Sequence, residues 1–245
     1  MSGPTGRAKR RRRKSVLDFE QFEWVSFDCY GTLVDWETGI CDAVAGVFAR
    51  HGVRKSRSEI LAMFSDAEPR VQSSGQFLEY RRVLRDVMEI MAWEASIRLP
   101  RAEADSLPDS LPNWPVFPDA ASALTRMQQR YKLAIISNVD DDLFAGTAKA
   151  LGIDFDAVIT SQQSGSYKPD LRNFHLAHER LATEKERWLH VGESLFHDIG
   201  PANLMGIKSV WVNRPDRGGG SRRTSAVPTL EMPDLSVLAQ QMFGK

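Results

Sequence analysis

Cysteine is scarce in this chain of 245 residues: Cys29 and Cys41 are the only two. Their spacing fits neither a disulfide framework nor a zinc site, so both read as buried thiols in a reducing cytoplasm. Long apolar runs are missing too. No stretch approaches the roughly 20 residues that a membrane-spanning helix needs. Residues 15–20 are too short and too acidic to form the apolar segment of a secretory signal, and the chain shows no internal repeat. Net charge is also absent, with 32 Lys and Arg against 32 Asp and Glu. That zero hides an asymmetry. Arg7, Lys9, Arg10, Arg11, Arg12, Arg13 and Lys14 crowd the first fourteen residues without an acid; apart from those seven, 25 bases face 32 acids. An acidic body argues against nucleic acid as the partner, and residues 1–18 are expected to form a disordered basic arm. A nuclear address, a nucleic-acid contact and a membrane-surface contact are the alternatives for that arm.

With 42% hydrophobic and 26% charged residues, the chain can bury a full core. Its most informative stretch is the apolar run Trp24-Val25-Ser26-Phe27, which ends in Asp28-Cys29-Tyr30-Gly31-Thr32. A run bounded in this way reads as a buried parallel strand, and ligands of open α/β sheets bind beyond the carboxyl ends of such strands. Asp28 therefore stands where chemistry would be done, as a nucleophile or as the partner of a cation. By alternation Cys29 should face the other way. The residue two places past Asp28 is Tyr30 rather than a second acid, so no carboxylic acid stands ready to protonate a poor leaving group. A halide, which leaves unprotonated, needs none.

Residues 37–112 follow a helical pattern, with Ile60, Leu61, Phe64, Phe77, Leu78, Val83, Leu84, Val87, Met88 and Met91 at helical spacings. Pro100, Pro108, Pro112, Pro115 and Pro118 punctuate a linker. Helix and strand then alternate: helices over 119–130, 140–151, 171–181 and 198–205, strands over 133–136, 157–159, 188–191 and 209–212. This alternation predicts a doubly wound, Rossmann-like parallel sheet. The helical insert would cover its carboxyl edge, and Gly218-Gly219-Gly220-Ser221 would be a surface loop before a short C-terminal segment.

Further polar residues stand at the predicted strand and loop ends: Ser137-Asn138, Lys168 in Ser166-Tyr167-Lys168-Pro169-Asp170, and Gly192-Glu193-Ser194 with His197 and Asp198 behind it. Taken together, these segments resemble the four sequence motifs of the haloacid dehalogenase superfamily, in order, over about residues 22–240. Tyr30, Ser137-Asn138 and Tyr167-Lys168-Pro169-Asp170 are most similar to the type II L-2-haloacid dehalogenases. The resemblance implies an α/β fold with a Rossmann-like core over 19–36 and 113–245 and an all-helical cap over 37–112. It also implies cytoplasmic, metal-independent hydrolysis of small 2-haloacids.

On that resemblance Asp28 attacks the halogen-bearing carbon and Lys168 keeps it ionised. Thr32, Ser137 and Asn138 orient nucleophile and substrate, Asp198 positions water, and Tyr30, Ser194 and His197 line the pocket. Arg70 is expected to bind halide from the cap, in preference to Arg81. Three positions differ from the family pattern: Gly192-Glu193-Ser194 replaces Ser-Ser-Asn, His197 replaces an aromatic residue, and Phe174 replaces a tyrosine. A small, more polar halide cradle would suit chloride or fluoride. The partner expected is a small molecule, with no membrane and with a homodimer compatible. Two other readings stay open. A phosphatase or phosphotransferase of the same superfamily would bind magnesium through Asp28, the Tyr30 carbonyl and Asp198, with Glu193 as a further ligand. A non-enzymatic binding module would act through the basic arm.

Overall fold

A computed structural model describes residues 17–73, 75–215 and 224–244. The basic run of residues 7–14 and the Gly218–Ser221 stretch lie outside the described residues. Six strands form one sheet in the order β3-β2-β1-β4-β5-β6: β1 Trp24–Phe27, β2 Lys132–Ser137, β3 Ala157–Thr160, β4 Trp188–Gly192, β5 Lys208–Val212 and β6 Leu230–Met232. All five pairings are parallel. The central strands are apolar and buried because helices cover both faces. Alternation along β1 sends Val25, Phe27 and Cys29 into the larger apolar cluster, while Trp24 joins Ala134 and Ile136 in the smaller one. Cys29 is thus buried on the face opposite Asp28, as the alternation requires.

Between β1 and β2 the chain is helical: α1 Trp36–Arg50, α2 Arg57–Gln72, α3 Tyr80–Glu94 and the short α4 Ser106–Ser110. Asp35 caps α1, accepting from the Thr38 N–H at 3.0 Å, and Ser56 and Glu59 form a capping box at the start of α2. On α3 the apolar residues Val83, Leu84, Val87, Met88 and Met91 are all buried, as their spacing requires. Phe77 and Leu78 precede that helix rather than belonging to it. Asp140, just beyond β2, accepts from the N–H groups of Tyr80 and Arg81 at 2.8 and 2.7 Å. A carboxylate of the sheet thereby fixes the start of α3, the end nearest the strand tips.

The proline-rich stretch is more ordered than a linker. It contains α4 and two 3₁₀ turns, and Leu107, Pro108 and Leu111 are buried. α5 Ala120–Met127 precedes β2, and after β2 come α6 Asp141–Leu151, α7 Ser161–Ser164, α8 Arg172–Leu181, α9 Gly200–Met205 and α10 Leu235–Phe243. Two features were not expected from the sequence. The helix anticipated over 198–205 begins as a π-helical turn at Leu195–Ile199, and the C-terminal segment supplies β6 and α10. Among the described residues no helix is long and apolar enough to cross a membrane.

Candidate active site

Phe27 pairs in register with Ile135 on one side and Val191 on the other, so Asp28 emerges at the carboxyl edge between β2 and β4. Its N–H still donates to Val191 O at 2.9 Å, which anchors the residue to the sheet. The chain then turns sharply at Gly31, whose φ of +106° suits glycine, and the Leu33 and Val34 N–H groups donate back to Cys29 O. This turn returns Thr32 to Asp28: its hydroxyl donates to Oδ2 at 2.8 Å while accepting from the Glu193 N–H at 2.9 Å.

Lys168 arrives from the loop between α7 and α8. Its Nζ donates to Asp28 Oδ1 at 2.9 Å, to Asp198 Oδ1 at 2.7 Å and to Ile136 O at 2.7 Å, so all three ammonium protons are engaged. The ammonium is held there by Asn138, which accepts from the Lys168 N–H at 2.7 Å and donates to Lys168 O at 3.1 Å. Asn138 lines the cavity, and its amide places Lys168 through its oxygen and one of its two N–H groups. Asp198 is fully buried and also accepts from the Ser194 N–H at 3.1 Å. Ser194 caps the π-helical turn through the His197 N–H and contacts His197 Nδ1 at 3.1 Å.

Burial governs the electrostatics. It pushes the Asp28 carboxyl up to about 6, against the pull of Lys168 and with the nearby Asp198 charge adding to the rise. Burial would raise Asp198 as well, but Lys168 and His190 outweigh it and hold that carboxyl well below the usual carboxylate range. Lys168 is raised, because the two carboxylates outweigh its desolvation. The two acids are therefore unlike: Asp198 stays ionised, whereas Asp28 titrates near neutrality.

Behind Asp198 runs a chain of buried donors that sequence reasoning missed. Ser26 and His190 are register partners on β1 and β4 and so share a face. Trp188 Nε1 donates to Ser26 Oγ at 2.7 Å, and Ser26 Oγ lies 2.8 Å from His190 Nδ1. The direction of the Ser26–His190 bond follows the imidazole tautomer; the one protonated at Nε2 accepts from Ser26 and turns an N–H toward Asp198. Nε2 faces Asp198 Oδ1 at 3.6 Å and makes no full hydrogen bond. Burial lowers the His190 pKa and keeps the ring neutral.

These groups open onto a cavity of about 420 Å³, roofed by Phe64, Glu68 and Gln72 of α2 and Tyr80 of α3. Asp28, Tyr30, Ser137, Asn138, Lys168, Ser194, His197 and Asp198 all line it. Ser137 Oγ is buried and has no hydrogen-bond partner among the described residues. The Tyr30 hydroxyl bonds Thr147 Oγ1 at 2.9 Å, and burial keeps the phenol protonated. Phe174 stays out of the site, packed in the core with its ring centroid 4.9 Å from that of His190.

Arg70 is not at this site. Helical rotation carries it away from the stripe of Phe64, Glu68 and Gln72, so it sits 60% exposed on the outer face, bound to Asp66 at 2.8 Å and 3.6 Å from Glu94. Arg81 is likewise outside, between Asp109 and Asp142. In the cavity wall the arginine is Arg214, whose terminal nitrogens lie 3.1 Å from the Asp119 carboxylate.

Fold and site define a Rossmann-like α/β protein whose strand tips carry a buried carboxylate–ammonium–carboxylate centre beneath a helical layer. The chain belongs to the haloacid dehalogenase-like hydrolases, whose family model matches residues 22–206. Within them it resembles the L-2-haloacid dehalogenases. An (S)-2-haloacid dehalogenase of Pseudomonas fluorescens is 24% identical over 221 residues, 89% of this chain and 95% of that protein. The solved structure of a defluorinating L-2-haloacid dehalogenase shares the fold, with a TM-score of 0.79, 23% identity, and 90% and 95% of the two chains covered. A phosphoserine phosphatase of Thermus thermophilus is 31% identical over 125 residues, 50% of this chain and 49% of that protein.

Proposed function

We propose that the protein hydrolyses the carbon–halogen bond of 2-haloacids to give 2-hydroxy acids, with Asp28 as the nucleophile. The observation that carries this reading is Tyr30, which stands two residues beyond Asp28 with its hydroxyl tied to Thr147 and held protonated. A leaving alkoxide would need an acid at that place, whereas halide departs as a stable anion. The match along nearly the whole length of the (S)-2-haloacid dehalogenase supports the same reading.

In this scheme an Asp28 carboxylate oxygen bonds to C2 as the carbon–halogen bond breaks, and halide leaves with the bonding pair. Water then adds to the carboxyl carbon of the Asp28 ester. The acyl C–O bond breaks, the hydroxy acid departs, and one proton passes to solvent. Lys168 keeps Asp28 anionic for the first step, and Thr32 fixes its orientation. The unpartnered Ser137 hydroxyl supplies a donor for the substrate carboxylate. Asp198, ionised beside Lys168, orients the water.

Glu193 favours a second reading, because it brings a further carboxylate to the cavity wall, as a magnesium-dependent phosphatase would need. Magnesium would be held there by Asp28, the Tyr30 carbonyl and Asp198, the same two carboxylates that Lys168 bridges. The test is halide release from (S)-2-chloropropionate and haloacetates. Release that persists in EDTA and disappears in Asp28→Asn is expected. Magnesium-dependent phosphate release from an aryl phosphate, without halide release, would replace this reading with the second one.

A further inference from the structure

The cavity above Asp28 is larger than a three-carbon haloacid requires: about 420 Å³ lies in the range of roughly 300–1,000 Å³ typical of sites for drug-sized ligands. Much of its wall is aromatic. Tyr30, Trp36, Phe64, Tyr80, Trp114 and Trp211 all face it. Four of the five polar handles are committed elsewhere: the Tyr30 hydroxyl to Thr147, the Tyr80 hydroxyl to Glu68, the Trp114 indole N–H to Ser110, and the Trp211 indole N–H to Glu193 O. Those four rings therefore offer faces and edges to a ligand rather than hydrogen bonds. Trp36 and Phe64 tilt together at 5.9 Å, and Tyr30 and Trp114 meet edge to face at 5.7 Å, so the wall is pre-formed.

Charge narrows the choice of ligand. Lys168 is balanced by two carboxylates and Arg214 by Asp119, and Glu68 and Glu193 also line the cavity. A second anionic group on the substrate would find the charges of the described lining cations, Lys168 and Arg214, already paired with carboxylates. An apolar ring would meet rings.

Building on the dehalogenase reading, we propose that the substrate is a monoanionic 2-haloacid carrying an aryl-sized apolar substituent at C3, with the ring seated among Trp36, Phe64 and Trp114 and the carboxylate held at Ser137. The cavity would then serve 2-halo-3-arylpropanoates in preference to haloacetates or halogenated dicarboxylates.

Two measurements test this. First, kcat/KM for (S)-2-chloro-3-phenylpropionate is expected to exceed that for (S)-2-chloropropionate by about tenfold or more, and Trp36→Ala is expected to collapse that ratio. Second, the unreactive acids 3-phenylpropionate and propionate are titrated against the wild-type protein, with tryptophan fluorescence as the readout. The phenyl acid is expected to bind about tenfold more tightly. Equal binding of the two acids overturns the aryl site, whatever the kinetics show. Selective binding of the phenyl acid without halide release from either substrate would retain the aryl site and reject dehalogenation, so the two ideas fail separately.

Discussion

Gly192 and Asp198 approach so closely that a Cβ built on the glycine would lie 2.5 Å from Asp198 Cβ and 2.6 Å from its Oδ2. No side chain fits there without moving the carboxylate off Lys168 and Ser194. Gly192→Ala should therefore lower turnover by about 100-fold, since misplacement of an active-site group by an ångström costs on that order. The sheet pairing of β4 remains possible, so circular dichroism should stay native. Turnover within twofold of wild type would show that the Asp198 position is immaterial.

The raised Asp28 carboxyl sets the pH dependence. Attack needs the carboxylate, so kcat/KM should fall as pH drops through about 6. Stability carries the opposite sign. A folded pKa above the unfolded value of about 3.8 means that the protonated form suits the folded protein, so this group withdraws stability as pH rises from about 4 to about 6. Asp28→Asn should accordingly melt higher than wild type above pH 6, and the difference should vanish below pH 4. Thermal scans at pH 4, 6 and 8 read this directly, and a difference that grows toward low pH would contradict the assignment.

His190 does not line the cavity, yet its Nε2 faces Asp198 from behind. Removing that imidazole with His190→Phe should reduce kcat by about tenfold or more while leaving KM within twofold, the pattern for a group that orients a reacting carboxylate. His190→Gln, which can restore an N–H toward Asp198, should recover part of the loss. A rise in KM with unchanged kcat would assign His190 to packing alone.

Much of this was legible in the residues. Buried parallel strands read as apolar runs, and Asp28 and Ser137, at the ends of β1 and β2, stand at one edge because the register aligns the strand tips, with Asp198 brought back to that edge by the turn after β4. The helical stretch between Trp36 and Ser110 was legible from apolar spacing. The sequence concealed whatever depends on direction around a helix or across a sheet. Arg70 was misplaced because a charge near an apolar stripe does not declare which way it turns. The Phe64, Glu68 and Gln72 stripe, spaced four residues apart, was the available signal for the cavity roof. The relay of Trp188, Ser26 and His190 required the pairing of β1 with β4, which no local pattern reveals. β6 is only three residues long, too brief for alternation to register.

The three charged groups of the centre are far apart along the chain: Lys168 lies 140 residues after Asp28, and Asp198 a further 30 beyond it. During synthesis on the ribosome Asp28 emerges early, but the ammonium and the second carboxylate of the centre come from the last third of these 245 residues. A fragment that ends before residue 198 lacks part of the centre, so the three charges can meet only after most of the chain has been made.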